Sequence, residues 1–272
     1  MNNIRFLTKN SHKLATLTAT SEALSVENTK DARRSFAWRS ATLATQTITG
    51  TLATATSANC FVFANHNLSA GSSVQLILKL SGVTVYDSGE IDPKNYIPAG
   101  VWRAGIDPYG ETLDSFLPYQ NYDSWFASTV FDSYEIIIKD SGNSDGYIQA
   151  GLIMLGSYFS PKLNVSYRPK MEWIEDSKTF RTDGGTRRVE SIGSIYRKFA
   201  FKLDWLDDED RITVLKEFMN SGKKEAIYIS IYPESGGGKE LEHSFISNRE
   251  SNIEFSNNFY ENWQAPMIFE EI

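Results

Sequence analysis

The feature that most constrains this chain is the alternation of Val74, Leu76, Leu78 and Leu80 with Gln75 and Lys79. A period of two puts every second side chain on one face, so this run is a strand with one face buried. Asn65, Asn67 and Gly71 punctuate its approach, and Val83 and Val85 resume the alternation after Ser81-Gly82. A β-hairpin turning on that Ser-Gly pair is predicted. Similar short runs recur up to about residue 165: TQTITGTLATAT, CFVFAN, SYEIIIKD with Tyr134, Ile136 and Ile138 on one face, and GYIQAGLIMLG. No long amphipathic helix interrupts them. So many half-buried strands predict an all-β domain over residues 1–165, built as a two-layer sandwich.

After FSPKLNVSYRPK the pattern changes, and residues 166–272 are expected to form a second domain. Phe199, Phe201, Leu203 and Trp205 alternate with polar residues and predict a strand burying all four. In LDDEDRITVLKEFMNSGKK, Asp207 is placed to cap a helix, three more acids favour its positive end, and Gly222 can stop it. Ile212, Leu215, Phe218 and Met219 would share its apolar face. In EAIYISIYP the isoleucines then alternate with Tyr228, Ser230 and Tyr232, and HSFIS, NIEF and APMIFEEI supply further strands.

Composition narrows the function. The 272 residues carry 41% hydrophobic side chains, enough for two modest cores. A net charge of −7 and a pI near 5.1 argue against a general nucleic-acid binder, which needs a concentrated basic face. Cys60, in the apolar run ANCFVF, is the single cysteine and is expected to be a small buried hydrophobe. MNNIRFLTKNSHKL has no apolar signal core, and no window resembles a membrane span, so folding in a reducing cytoplasm is expected.

Neither His12, His66, His243 nor Cys60 shows metal-ligand spacing. SGGGKELEHS lacks the spacing and the Ser or Thr of a phosphate loop, and reads as a flexible hairpin tip. DSGNSDG, from Asp140 to Gly146, has oxygen ligands, but Leu152 occupies the place of a calcium loop's closing glutamate; a turn is expected. The acids Asp207 to Asp210 are explained by helix capping. There is no nucleophile elbow, and carboxylate pairs for sugar hydrolysis cannot be chosen without tertiary distances. The expectation is a non-enzyme, with no cofactor and no metal.

The long segment between Ile91 and Phe131 has little periodicity and many aromatics. Tyr109, Phe116, Tyr119, Tyr122, Trp125 and Phe126 are interleaved with Asp107, Glu111, Asp114, Asn121 and Asp123. Such a mixture can stack on sugar rings and bond their hydroxyls, can form a protein interface, or can pack into a core. Tyr109, Phe116, Tyr119, Tyr122 and Trp125 are the candidate glycan or protein contacts.

Three segments in order resemble the galactose-binding-like (discoidin-type) β-sandwich of tailed-bacteriophage minor tail and tail-tip proteins. They are the Ser-rich opening that leads to Trp38-Arg39-Ser40, the turn His66-Asn67-Leu68-Ser69, and a closing strand with Gly151, Leu152, Met154, Leu155, Gly156, Phe159 and Pro161. The remainder is similar, less specifically, to the small β-barrel with one helix found in tail-tube, distal-tail and baseplate subunits. The fold implied is mainly β, a jelly-roll sandwich followed by a barrel-like domain. The resemblance implies a structural virion component at the distal tail, made in the host cytoplasm. It would oligomerise as a ring, trimer or hexamer, beside other tail or baseplate proteins, and could touch host surface saccharides. A stand-alone lectin-like module is the alternative, and a glycan depolymerase a third. HNLS would then be scaffold, with Asn67 and Ser69 tying the turn and Leu68 anchoring it.

Overall fold

The computed structural model describes residues 2–93, 121–235 and 237–272. Tyr109, Phe116 and Tyr119 lie outside the described residues. The chain divides into two compact units: Met1–Ser160 with Tyr228–Phe245, and Pro161–Ile227 with Ile246–Ile272. The return of Tyr228–Phe245 to the first unit has no signature in local periodicity, because pairing between strands distant in sequence creates it.

The first unit opens with β1 (Arg5–Leu7), the short helix α1 (Ser11–Leu14) capped by Asn10, and β2 (Thr16–Ala19). A 3-10 turn leads to β3 (Trp38–Arg39), β4 (Gln46–Ala64), β5 (Ser73–Leu80) and β6 (Val83–Asp87). Then come β7 (Asn121–Lys139), β8 (Gln149–Ala150) and β9 (Ile153–Gly156). The second unit carries β10 (Lys170–Ile174), β11 (Ser177–Arg181), β12 (Arg187–Ser191), β13 (Tyr196–Leu206) and helix α2 (Asp208–Ser221). β14 (Ile227–Ser230), but for its first residue, and α3 (Gly237–Glu242) fall in the first unit, α3 being a short helix where the glycine run had suggested a hairpin tip. Last come β15 (Ser244–Arg249), β16 (Ser256–Phe259) and β17 (Asn262–Glu271).

The protein is mainly β, and its first unit is a β-sandwich. The main sheet runs β2-β4-β7-β5-β6, with β9 on the far half of β4, and β3 pairs with β8 as a separate ladder. Strands β4 and β7 are long because each bends: their pairing shifts register between Thr51 and Thr56 and again between Ala58 and Cys60. Such irregularities let one strand serve two layers. Side chains from both halves therefore meet in one core, Ile48, Leu76 and Ile136 with Phe61, Phe63 and Leu155. The alternation in β5 is confirmed, with Val74, Leu76 and Leu78 at most 2% exposed, each worth about 1.5–3 kcal/mol of burial. The predicted hairpin turn is also present, with Ser81 at φ 51° and Gly82 at φ 81°. Strand β1 pairs with β14, Arg5 opposite Ser230 and Leu7 opposite Tyr228.

In the second unit, β13 lies between β10 and β17, and β17 also pairs with β15 and β16. Asp207 caps α2 by accepting a hydrogen bond from the Asp210 amide at 2.7 Å, and Gly222 ends the helix at φ 62°. Two expectations are corrected here. The helix buries Val214, Phe218 and Ser221, while Ile212 and Met219 are exposed, because Phe218 packs on Phe269 and sets the inward stripe. Trp205 does not join Phe199, Phe201 and Leu203 inside: a bulge between Leu203 and Leu206 puts Trp205 at φ 63° and turns it out, with Leu206 buried instead. The predicted alternation in β14 is likewise replaced by burial on both faces. A buried ion pair crosses this sheet, with Arg197 Nε donating to Glu271 Oε2 at 2.9 Å and Nη2 to Oε1 at 2.5 Å.

Candidate functional site

The segments singled out by resemblance converge on one end of the sandwich. Asn67 Nδ2 donates to the Tyr147 carbonyl and to Asp145, while Asn67 Oδ1 accepts from the Gln149 amide at 2.7 Å. Asp140 accepts from the Ser69 amide at 2.9 Å, from the Ser69 hydroxyl, and from Asn143 Nδ2 at 2.8 Å. Asn143 also reaches the Asn67 carbonyl. HNLS and DSGNSDG are thus one interlocked pair of loops, and Leu68 is buried beneath them as the anchor. His66 is 6% exposed, packs on Phe63, and accepts from the Leu68 amide through Nδ1. It is scaffold.

Trp38-Arg39-Ser40 is scaffold as well. Trp38 is buried in the core and donates to the Ser21 carbonyl, Arg39 holds Gln149 and lies over Tyr147, and Ser40 Oγ accepts from the Ile148 amide. In the closing segment, Gly156 permits a close backbone approach: a Cβ there would stand 2.2 Å from the Lys9 carbonyl oxygen. Phe159 stacks on Phe6.

These loops frame an open cleft of about 610 Å³, walled by Leu43–Thr45, Ser69–Gly71 and Lys139–Gly142. That size suits a small-molecule ligand. Asp140 accepts from Ser69 and Asn143, and Lys139, about half exposed, pairs with Glu90 and holds that carboxyl below its ordinary range. What remains for a ligand is the apolar edge of Leu43, the hydroxyls of Thr45 and Ser141, and small side chains that let it reach the backbone.

The described aromatic candidates are elsewhere. Tyr122 and Trp125 both lie on β7, which extends back to Asn121, but they point to opposite faces. Tyr122 packs against the sandwich core, and burial pushes its phenol up to about 12. Trp125, on the other face, is edge-on to Tyr158 at 5.2 Å, close to Tyr228, and covered by the Arg5 guanidinium at 4.7 Å. Asp123 shares that face, and burial, then the Glu240 charge, raises its carboxyl to about 7. Trp125 and Tyr228 oppose the rise, yet Asp123 Oδ2, Trp125 Nε1 and Tyr228 OH close no hydrogen bond of normal geometry. The two tryptophan and tyrosine candidates therefore do not form one platform.

The remaining titratable groups of the sequence search are internal. His12 is fully buried between Tyr134 OH, 2.6 Å from Nδ1, and Thr29 Oγ1, 2.7 Å from Nε2. Thr29 donates its own proton to the Val26 carbonyl, so Nε2 carries the imidazole proton and Nδ1 accepts from Tyr134. Burial, aided by Lys30, lowers His12 to about 3. Cys60 is buried, and its thiol is pushed up by burial. Among the described residues no group of three or more His, Cys, Asp or Glu side chains is placed to hold a metal ion, and no helix is long and apolar enough to cross a membrane.

No protein-family model matches the chain. No curated protein matches it. Solved structures similar to it include CpGH89CBM32-5 from Clostridium perfringens, in complex with GalNAc-β-1,3-galactose, at 16% identity and TM-score 0.36, over 54% of this chain and 99% of that one. The family 32 CBM from C. perfringens NanJ, in complex with galactose, gives 13% identity and TM-score 0.38 over 55% and 96%. The lectin domain of lectinolysin, complexed with Lewis B antigen, gives 8% identity and TM-score 0.38 over 55% and 97%.

Proposed function

We propose that this chain is a non-enzymatic saccharide-binding protein whose sandwich takes a neutral sugar in the cleft between Leu43–Thr45, Ser69–Gly71 and Lys139–Gly142. The observation that carries the reading is the lining: hydroxyls and small side chains surround a ligand-sized space in which Asp140 is held by the loops and Lys139 pairs with Glu90. A sugar supplies hydroxyls for Thr45 and Ser141 and an apolar ring face for Leu43. Rigid support favours the same use, since the interlocked loops hold the cleft open before any ligand arrives. A glycan array probed with the full chain tests this: retention of a defined set of neutral glycans is expected, without cleavage of the polymers. Cleavage abolished by replacing one carboxylate would establish a depolymerase instead.

The finer placement, at the distal tail of a long-tailed phage beside other tail or baseplate proteins, is supported by the order of the WRS, HNLS and closing-strand segments. In that setting the sandwich would touch host surface glycans, and the second unit would serve assembly. Cryo-electron microscopy of the particle tests it: density for this chain at the distal tail is expected, and its absence from a well-resolved tail would reject the placement.

A further inference from the structure

Two features of the second unit stand exposed with little cover among the described residues. One is the β11–β12 ribbon. Among the described residues it joins no larger sheet, and every residue of both strands is exposed. A two-stranded ribbon in water is marginal by itself. This one presents Phe180, 52% exposed, and Val189, 57% exposed, on its two faces. Around them the ribbon, residues 177–191, carries Lys178, Arg181, Arg187 and Arg188 against Asp183 and Glu190, four charges against two and a net of +2. Arg181 stands directly opposite Arg187, a like-charge pair that opposes the ribbon's own pairing. Neither Arg187 nor Arg188 has a carboxylate partner among the described residues.

The other feature is an aromatic patch with an acidic rim. Trp205, turned out by the bulge, stacks on Phe259 with centroids 5.6 Å apart and planes within 6°. Both are more than half exposed, and neighbouring Tyr260 is 85% exposed. A bulky residue held at positive φ so that its ring faces water is strained backbone, of the kind found at binding surfaces. The segment 204–211 beside it carries Asp204, Asp207, Asp208, Glu209 and Asp210; Lys162 pairs with Asp207 and Glu209, Lys202 with Asp204 and Arg211 with Asp208, so five acids against three cations leave a net of −2. Trp263, paired with Leu206 and donating to Asp208 at 3.0 Å, ties this acidic rim to β17.

We infer that the β11–β12 ribbon of one copy docks on the Trp205–Phe259–Tyr260 patch of a second copy, giving head-to-tail self-assembly. The charges are complementary, the arginines can lie over the aromatic faces, and contact with the rim relieves the Arg181–Arg187 repulsion. Because ribbon and patch are different surfaces, a bound pair leaves one ribbon and one patch open, so the contact repeats into a ring or a filament. This goes beyond saccharide binding and is read without any glycan, so either can fail while the other holds.

Sedimentation velocity of the full chain tests it, with concentrations taken up to about 100 μM to reveal weak association. Assembly above the 30.7 kDa monomer is expected, and it should weaken as salt is raised from about 0.1 to 1 M. Arg187→Glu with Arg188→Glu reverses the ribbon's charge from +2 to −2, and Trp205→Asn removes the patch with a side chain that tolerates positive φ. Each variant alone should be monomeric. Mixed together, they retain one intact ribbon and one intact patch and should form a dimer that grows no further. A wild type that stays monomeric, variants that still assemble, or a mixture that yields no dimer would overturn the inference.

Discussion

Buried His12 makes the sandwich sensitive to mild acid, and its size follows from linkage. The imidazole is enclosed with Tyr134 on Nδ1 and Thr29 on Nε2, and its folded value is about 3 against an ordinary 6.5. The unfolded chain therefore takes up a proton near pH 6.5 while the folded protein does not. Stability from this group is complete above the unfolded value and is lost as pH falls from there toward 3. At about 1.4 kcal/mol per unit, lowering pH from 7 to 5 costs about 2 kcal/mol. Replacing His12→Gln removes the titration while keeping a polar side chain in place. Urea unfolding of both proteins at pH 7, 6 and 5 isolates the effect, because other groups cancel in the difference. The advantage of wild type over the variant should shrink by about 2 kcal/mol across that range. An unchanged difference would show that His12 titrates alike in both states and refute the enclosed neutral imidazole.

Asp123→Asn should behave in the opposite sense. The carboxyl is raised from 3.8 to about 7, so its cost is absent below 3.8 and grows as pH rises toward 7; the variant should gain up to about 4 kcal/mol at pH 8 and little at pH 4, in the same assay. Gly50→Ala should unfold the sandwich's centre, since the new Cβ would stand 2.1 Å from the Tyr134 ring; a loss of about 3 kcal/mol or more is expected by thermal unfolding. Arg197→Met strands Glu271 inside the second unit and should cost about 3–5 kcal/mol, with much of it recovered by adding Glu271→Leu.

Local chemistry was legible where local rules govern. The β5 alternation, the Ser81-Gly82 turn, the Asp207 cap and the Gly222 stop each depend on neighbours a few residues away. Trp205 broke the period because a bulge, which depends on the partner β17, inserts a residue into the face count. Asp123 and Trp125 were read as part of an irregular segment, although β7 runs through them, because a strand packed on both faces loses its alternation. The HNLS and DSGNSDG motifs were each recognisable, but their interlock, and so the cleft, joins residues more than seventy positions apart. The turn signals in both loops were the only hint of where that cleft would lie. The pairing of β1 with β14 was invisible for the same reason of distance.

The central claim is that the Leu43–Gly142 cleft holds a saccharide, and the most direct measurement is calorimetric titration of the strongest array glycan into wild type and Gly142→Trp. A Cβ at Gly142 meets nothing within 4 Å and its backbone needs no glycine, so the indole should fill the cleft while the melting temperature is unchanged. The account predicts saturable binding by wild type and its loss in the variant. Equal binding by a folded Gly142→Trp protein, or no glycan bound by wild type, would contradict it.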